Sequence, residues 1–161
     1  MKKIFLMVAI LATTMVQTGF AQQDHANHQS QTPALLTLYY NIKDALVAGN
    51  PNLAASKAAE LVEALNTSDA KAITGDKEDG LLQHAQKIAQ SKDLKDQREH
   101  FAILSADMIV LAKGSKLSTE PVFQMYCPMK KASWLSSSAA VKNPYFGKSM
   151  LTCGKVVETL K

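Results

Sequence analysis

The chain has 161 residues, a formal net charge of +4, 47% hydrophobic residues and only two cysteines. That length suits a single domain able to bury a usable core without disulfides or metals. The basic residues are spread along the chain, without the clustering or aromatic interleaving of a nucleic-acid face, so no nucleic-acid partner is expected.

Lys2 and Lys3 precede the apolar run "IFLMVAILATTMV", which ends in "TGFA" with Gly19 and Ala21 at the positions a signal peptidase reads. The segment 1–21 is therefore expected to be a secretory signal peptide, cleaved after Ala21. It is too short and too weakly flanked for a transmembrane anchor. No cysteine lies near the cleavage site, which argues against a lipid anchor there, and no second apolar run is long enough to span a bilayer. The expectation is an exported, periplasmic protein with no stable membrane insertion once the signal is removed. Taking Lys2 and Lys3 from the 18 basic residues leaves 16 against 14 acidic ones, too even a balance to imply an acidic partner.

Residues 22–32, beginning "QQDHANHQSQ", are polar and lack an apolar period, and read as a disordered leader. His25 and His28 are three apart and could grip a metal weakly, but a solvated tail is the preferred account of them. Four helices are then predicted. Thr32 can cap the first, near 33–48, with Pro33 in its first turn and Leu35, Tyr39, Ile42 and Leu46 on one stripe before Gly49. Asn50 and Pro51 repeat the signal for a second helix near 51–66, with Ala54, Ala58, Leu61 and Leu65 on its stripe. Residues 66–80 read as a loop with room for one helical turn. Leu81, Ala85, Ile88 and Ala89 mark a third helix near 79–91. Asp93 can cap a fourth near 94–113, with Leu94, Phe101, Leu104, Met108 and Leu111 inward, ended by Gly114. Short connections between such helices favour an up-down bundle of about four. His84, His100 and Met108 on these helices are by default core or surface residues.

From Ser115 the chain changes character. Pro121, Pro128, Pro144, Gly147 and Gly154 break any long helix. The segment nevertheless holds the only Trp, both cysteines and Met125, Met129 and Met150, and such a composition would be sticky if exposed. The fold class expected is therefore mainly all-α: a single domain over 33–161, with an irregular C-terminal segment folded over the helices. Trp134, Tyr145 and Phe146 should be buried. Residues 122–127 could be extended, and 149–153 could form a helical turn. "NPYFG" should make a tight turn that returns 150–153 toward 125–129.

The sulfur residues carry the chemistry. On an extended segment Met125, Cys127 and Met129 would share a face, and on a helical turn Met150 and Cys153 would point together. Thiolates and thioethers are soft donors that select Cu(I) or Ag(I) over Mg²⁺ or Ca²⁺. Zinc would ordinarily ask for Cys and His. Two cysteines in an exported domain are equally a disulfide candidate, worth about 3 kcal/mol on chain-entropy grounds, and methionines are common core fillers. Both readings stay open, and they are compatible if the cysteines alternate between a disulfide and a metal-bound pair. No C-x-x-C, H-E-x-x-H, G-x-S-x-G or phosphate-cradling Gly loop occurs, so no enzyme activity is expected.

The order "YCPM", "WL", "NPYFG", "MLTCG", with "QREHFAILS" at 97–105 upstream, resembles a bacterial exported domain family of unknown function. The resemblance spans about residues 34–160. Members of that family also occur as a C-terminal extension of periplasmic adaptor subunits of copper/silver efflux pumps. "YCPM" is in addition similar to the Cys-Pro-Met of short heavy-metal-binding domains, whose following His and second cysteine pair are missing here. The resemblance implies metal handling outside the cytoplasm, with Cys127, Met129, Met150 and Cys153 as matching candidates. Met125, which precedes the motif, and His100, on the fourth helix, are reserve ligands. The function expected is Cu(I)/Ag(I) binding as a buffer or chaperone, with Cu(I) as the bound ion and a metal-efflux adaptor or pump component as partner. The alternative is a non-catalytic interaction module stapled by a Cys127–Cys153 disulfide.

Overall fold

A computed structural model describes residues 24–115 and 117–160; the expected signal peptide lies outside the described residues. Five α-helices come first among them: α1 (Asp24–Ala48), α2 (Pro51–Leu65), α3 (Ser68–Thr74), α4 (Glu78–Gln90) and α5 (Leu94–Gly114). Three strands follow: β1 (Val122–Cys127), β2 (Ala132–Ser136) and β3 (Lys155–Leu160). No helix among the described residues is long and apolar enough to cross a membrane.

The helix boundaries follow local chemistry. Asn50 caps α2, its Oδ1 accepting from Leu53 N at 3.0 Å, and Pro51 takes the first helical position, where its missing N–H is not needed. Asp93 caps α5 in the same way, accepting from Asp96 N at 2.8 Å. Within 66–80 the chain forms α3, capped by Thr67, and a short 3₁₀ turn at Gly75–Lys77. The first helix differs from expectation, because α1 continues N-terminally to Asp24 through the stretch read as a disordered leader. Lack of an apolar period means that a stretch has no face to bury; it does not bar the backbone from helix.

Successive helices pack together: α1 on α2, α2 on α4, and α4 on α5. Alanines at 54, 58 and 85 are fully buried and allow close approach beside Leu61, Leu65, Leu81 and Ile88. The other face of α5 packs on β2.

The all-α expectation is corrected at the C-terminus. Residues 122–127, 132–136 and 155–160 build a three-stranded antiparallel sheet in the order β2-β1-β3, and the connection 137–154 between β2 and β3 is irregular. β1 coincides with the segment read as extended, whereas β2 and β3 went unread. The β1–β2 hairpin turns through 128–131, with Lys131 left-handed at φ 54°. A lysine there gives none of the Gly or Asn signal that usually betrays a hairpin. β3 is an edge strand with Lys155 through Thr159 exposed, so it lacks the in-out alternation of a half-buried strand.

The sheet folds onto the helices as the tail's composition required. Tyr39 of α1 stacks on Phe101 of α5 at a centroid distance of 5.1 Å. Phe101 meets Tyr145 at 6.2 Å, and Tyr145 meets Trp134 of β2 edge-on at 5.7 Å. Trp134 and Tyr145 are buried as expected, and Phe146 is half-buried. The Tyr39 hydroxyl shares a 2.7 Å hydrogen bond with Ser105 Oγ and accepts from Leu135 N at 3.1 Å, so one phenol joins α1, α5 and β2. Burial pushes its pKa well above the usual value and keeps the hydroxyl protonated.

Replacing Tyr39 with Phe strands the Leu135 N–H and the Ser105 hydroxyl in the core. A loss of about 1–3 kcal/mol is expected, read as a lower urea midpoint with unchanged slope.

Candidate metal centre

Cys127 ends β1 with its side chain fully buried. The turn that follows folds back on it, and Lys130 N donates to Cys127 Sγ at 3.4 Å. Asn143, the first residue of "NPYFG", is also fully buried. Its Nδ2 donates to Cys127 Sγ at 3.2 Å and to Cys153 O at 2.7 Å, and its Oδ1 accepts from Tyr145 N at 2.8 Å. Gly147 N closes the turn on Asn143 O at 3.0 Å, and Asn143 N reaches Leu151 O at 2.8 Å. Cys153 N then closes a further turn on Met150 O at 3.0 Å. The two cysteine sulfurs meet at 3.7 Å as free thiols.

Two glycines make this bracket possible. Gly147 adopts φ +55°, and a Cβ there would lie 3.1 Å from Val47 O and 2.7 Å from Arg98 Nη2. Gly154 adopts φ +150°, and a Cβ would lie 2.8 Å from Trp134 Cη2 and 3.1 Å from Tyr126 O. Any other residue at 154 would push Cys153 away from the sheet.

The two thiols are electrostatically unequal. Burial raises the Cys127 pKa, but hydrogen bonds from the Lys130 amide and the Asn143 side chain outweigh it, so the net shift is downward. Cys153 moves upward, through desolvation and through its bond to and repulsion by Cys127. The first proton to leave the pair therefore comes from Cys127, and the more exposed Cys153 keeps its own to a higher pH. A thiolate held by two N–H donors beside a second thiol can ligate a soft ion or enter thiol–disulfide exchange.

The other predicted ligands are placed less uniformly. Met125 is fully buried on β1, opposite Trp134 and Val156. Met129 lies in the β1–β2 turn at 64% exposure. Met150 is half-buried on the turn that carries Cys153. His100 faces α4 across the helix seam, its Nδ1 3.1 Å from His84 Nδ1 and its Nε2 3.6 Å from Asp96 Oδ1. Burial and nearby His100 lower the His84 pKa, against a weaker upward pull from Asp107. Among the described residues no group of three or more His, Cys, Asp or Glu side chains gathers as a metal site. The "NPYFG" motif marks Asn143 as a turn residue, and nothing in its sequence neighbourhood signals its bond to Cys127.

Two residues of the upstream motif at 97–105, Gln97 and Arg98, bond the elements to one another. Gln97 Nε2 lies 2.9 Å from Pro51 O, 2.9 Å from Ser91 O and 3.3 Å from Ile88 O. Arg98 donates to Leu46 O at 3.1 Å and to Pro144 O at 3.0 Å, tying α5 to the end of α1 and to the cysteine bracket.

Removing the amide donor by Asn143→Asp keeps the acceptor for Tyr145 N and sets a negative charge beside Cys127. Its thiolate absorbance should then emerge about one to two pH units higher than in the wild type, since a hydrogen bond to a charged group is worth about 1.5–3 kcal/mol.

Comparison with curated proteins and with solved structures gives no match. A family match runs over residues 35–120, from within α1 through α5 to the approach to β1, and leaves the cysteine motifs outside it. Since that match covers more than half of the chain, the chain belongs to the family described as "Protein of unknown function (DUF3347)".

Proposed function

We propose that the protein binds a soft univalent ion, Cu(I) or Ag(I), through Cys127 and Cys153, with Met129 and Met150 as auxiliary donors. One observation carries the reading: the 3.7 Å separation of two sulfurs, one of them held by N–H donors that favour its thiolate. With a metal–thiolate distance of about 2.3 Å, sulfurs so spaced subtend about 107° at the ion. That angle is far from linear and leaves room for one or two further donors. Met129 and Met150 sit on the two turns that present the cysteines, and a thioether needs no deprotonation to bind. Met125 is the weakest candidate, because its side chain belongs to the core.

Export through the segment 1–21 and a periplasmic location belong to the same proposal. So does a role as buffer or chaperone for an adaptor or pump component of heavy-metal efflux, supported by the likeness of the tail motifs to those of such systems. A second reading has the same geometric support. Thiols in contact need only a small movement to form a Cys127–Cys153 disulfide, which would make the domain a stapled interaction module without metal.

Cu(I) competition against a chromophoric chelator separates the two. The reduced protein should hold Cu(I), and Cys127→Ser/Cys153→Ser should lose it, because hydroxyls replace both soft donors. Met129→Leu should weaken binding while changing stability by less than about 1.5 kcal/mol. Equally weak binding by the wild type and the double-serine variant defeats the metal reading and leaves the stapled module.

A further inference from the structure

Across the seam between α4 and α5, His84 Nδ1 and His100 Nδ1 lie 3.1 Å apart, with ring centroids 5.3 Å apart and planes inclined at 35°. Two ring nitrogens that close require something between them, either one proton or one cation. With metal–imidazole bonds of about 2.0–2.1 Å, two nitrogens on one ion are about 2.9 Å apart at a right angle and about 3.3 Å apart at the tetrahedral angle. The observed spacing falls between these limits.

The surroundings are those of a ligand pair. His100 Nε2 is 3.6 Å from Asp96 Oδ1, one turn earlier on α5. A carboxylate behind an imidazole favours the tautomer with its proton on Nε2, which leaves the Nδ1 lone pair free to ligate. Both histidines are half-buried, so an ion could reach them from solvent while two packed helices hold the spacing. The seam is tight beside them: a Cβ on Gly80, one turn before His84, would lie 2.6 Å from Asp107 Oδ2. Asp107 adds negative charge on the His84 side.

We propose that His84 and His100 form a second metal site, separate from the thiol pair, for a borderline divalent ion such as Zn(II), with Asp96 as a positioning residue. Neutral imidazole suits such ions, and the thiol pair, which can also take Zn(II), is removed by serine substitution in the test. Two protein nitrogens leave the remaining positions to water, so the site is open and exchangeable. Bound, the ion clamps α4 to α5. The inference does not rest on the soft-metal reading, since the histidines lie in the helical segment and the cysteines in the tail.

The test titrates Zn(II) into the full exported chain, followed by calorimetry and by the ring-nitrogen NMR signals of the histidines. Zn(II) should move the Nδ1 signals of His84 and His100 together. His84→Gln and His100→Gln should each weaken binding by more than about tenfold, and Asp96→Asn by about tenfold, with the His100 tautomer signal altered. Cys127→Ser/Cys153→Ser should keep the response, which separates this site from the thiol pair even if Cu(I) binding fails. If either glutamine variant fails to fold, the wild-type ring-nitrogen signals alone decide. Unmoved His84 and His100 signals overturn the proposal, as does undiminished affinity when His84→Gln is added to Cys127→Ser/Cys153→Ser; the contact is then a direct imidazole–imidazole hydrogen bond.

Discussion

Everything in the C-terminal third depends on one buried amide. Asn143 has both of its main-chain groups and both ends of its side chain engaged: two turns, one sulfur, one carbonyl and one amide N–H. A buried polar group left unpaired costs about 1–3 kcal/mol, so a saturated one is stable in only one arrangement. The loop 137–154 buries Tyr145 in the core and packs Val141 and Phe146 against it, but it has no regular secondary-structure ladder of its own. It is held in place because alternatives to this arrangement would strand several partners at once.

Helix α5 does the corresponding work for the rest of the molecule. Gln97 and Arg98 sit side by side near its start and reach opposite ways. Gln97 takes main-chain carbonyls around the ends of α4 and α2, and Arg98 takes those of α1 and the "NPYFG" turn. The last carbonyls of a helix lack a partner within it, and these side chains donate to such carbonyls at the end of α4, from Ile88 and Ser91, and near the end of α1, from Leu46. One and two turns further along, Phe101 and Ser105 join the aromatic path and the Tyr39 hydroxyl. Hence the run "QREHFAILS" stands out by sequence: apart from His100, it is the junction at which helices and sheet are bonded to each other.

The helices were legible because caps and stripes are local. Asn50, Pro51 and Asp93 mark their boundaries by chemistry acting over three residues, and the stripes of α2, α4 and α5 repeat at helical spacing. The sheet was only one-third legible. β1 lies in the segment read as extended, β2 hides behind a turn whose left-handed residue is Lys131, and β3 presents Val156 and Val157 to solvent. Of the site, the approach of the two cysteines followed from the motifs that bracket them. The shared methionine face did not, because Pro128 ends the strand and Met129 enters the turn instead of continuing the row of Met125 and Cys127. The His84–His100 contact joins residues 16 apart on two helices, a pairing set by how α4 lies on α5 and by nothing local.

The strand order β2-β1-β3 has a consequence for the history of each molecule. The helices are built largely from neighbours in sequence, and contacts of that kind form early in folding. Cys127 and Cys153 are 26 positions apart, and Cys153 stands just before the last strand, which must cross to the far edge of β1. Closing a loop of that size takes entropy that only the finished bracket repays. The sulfurs therefore meet only once the bracket that spans those positions has closed, and until then a newly made chain carries two separate thiols.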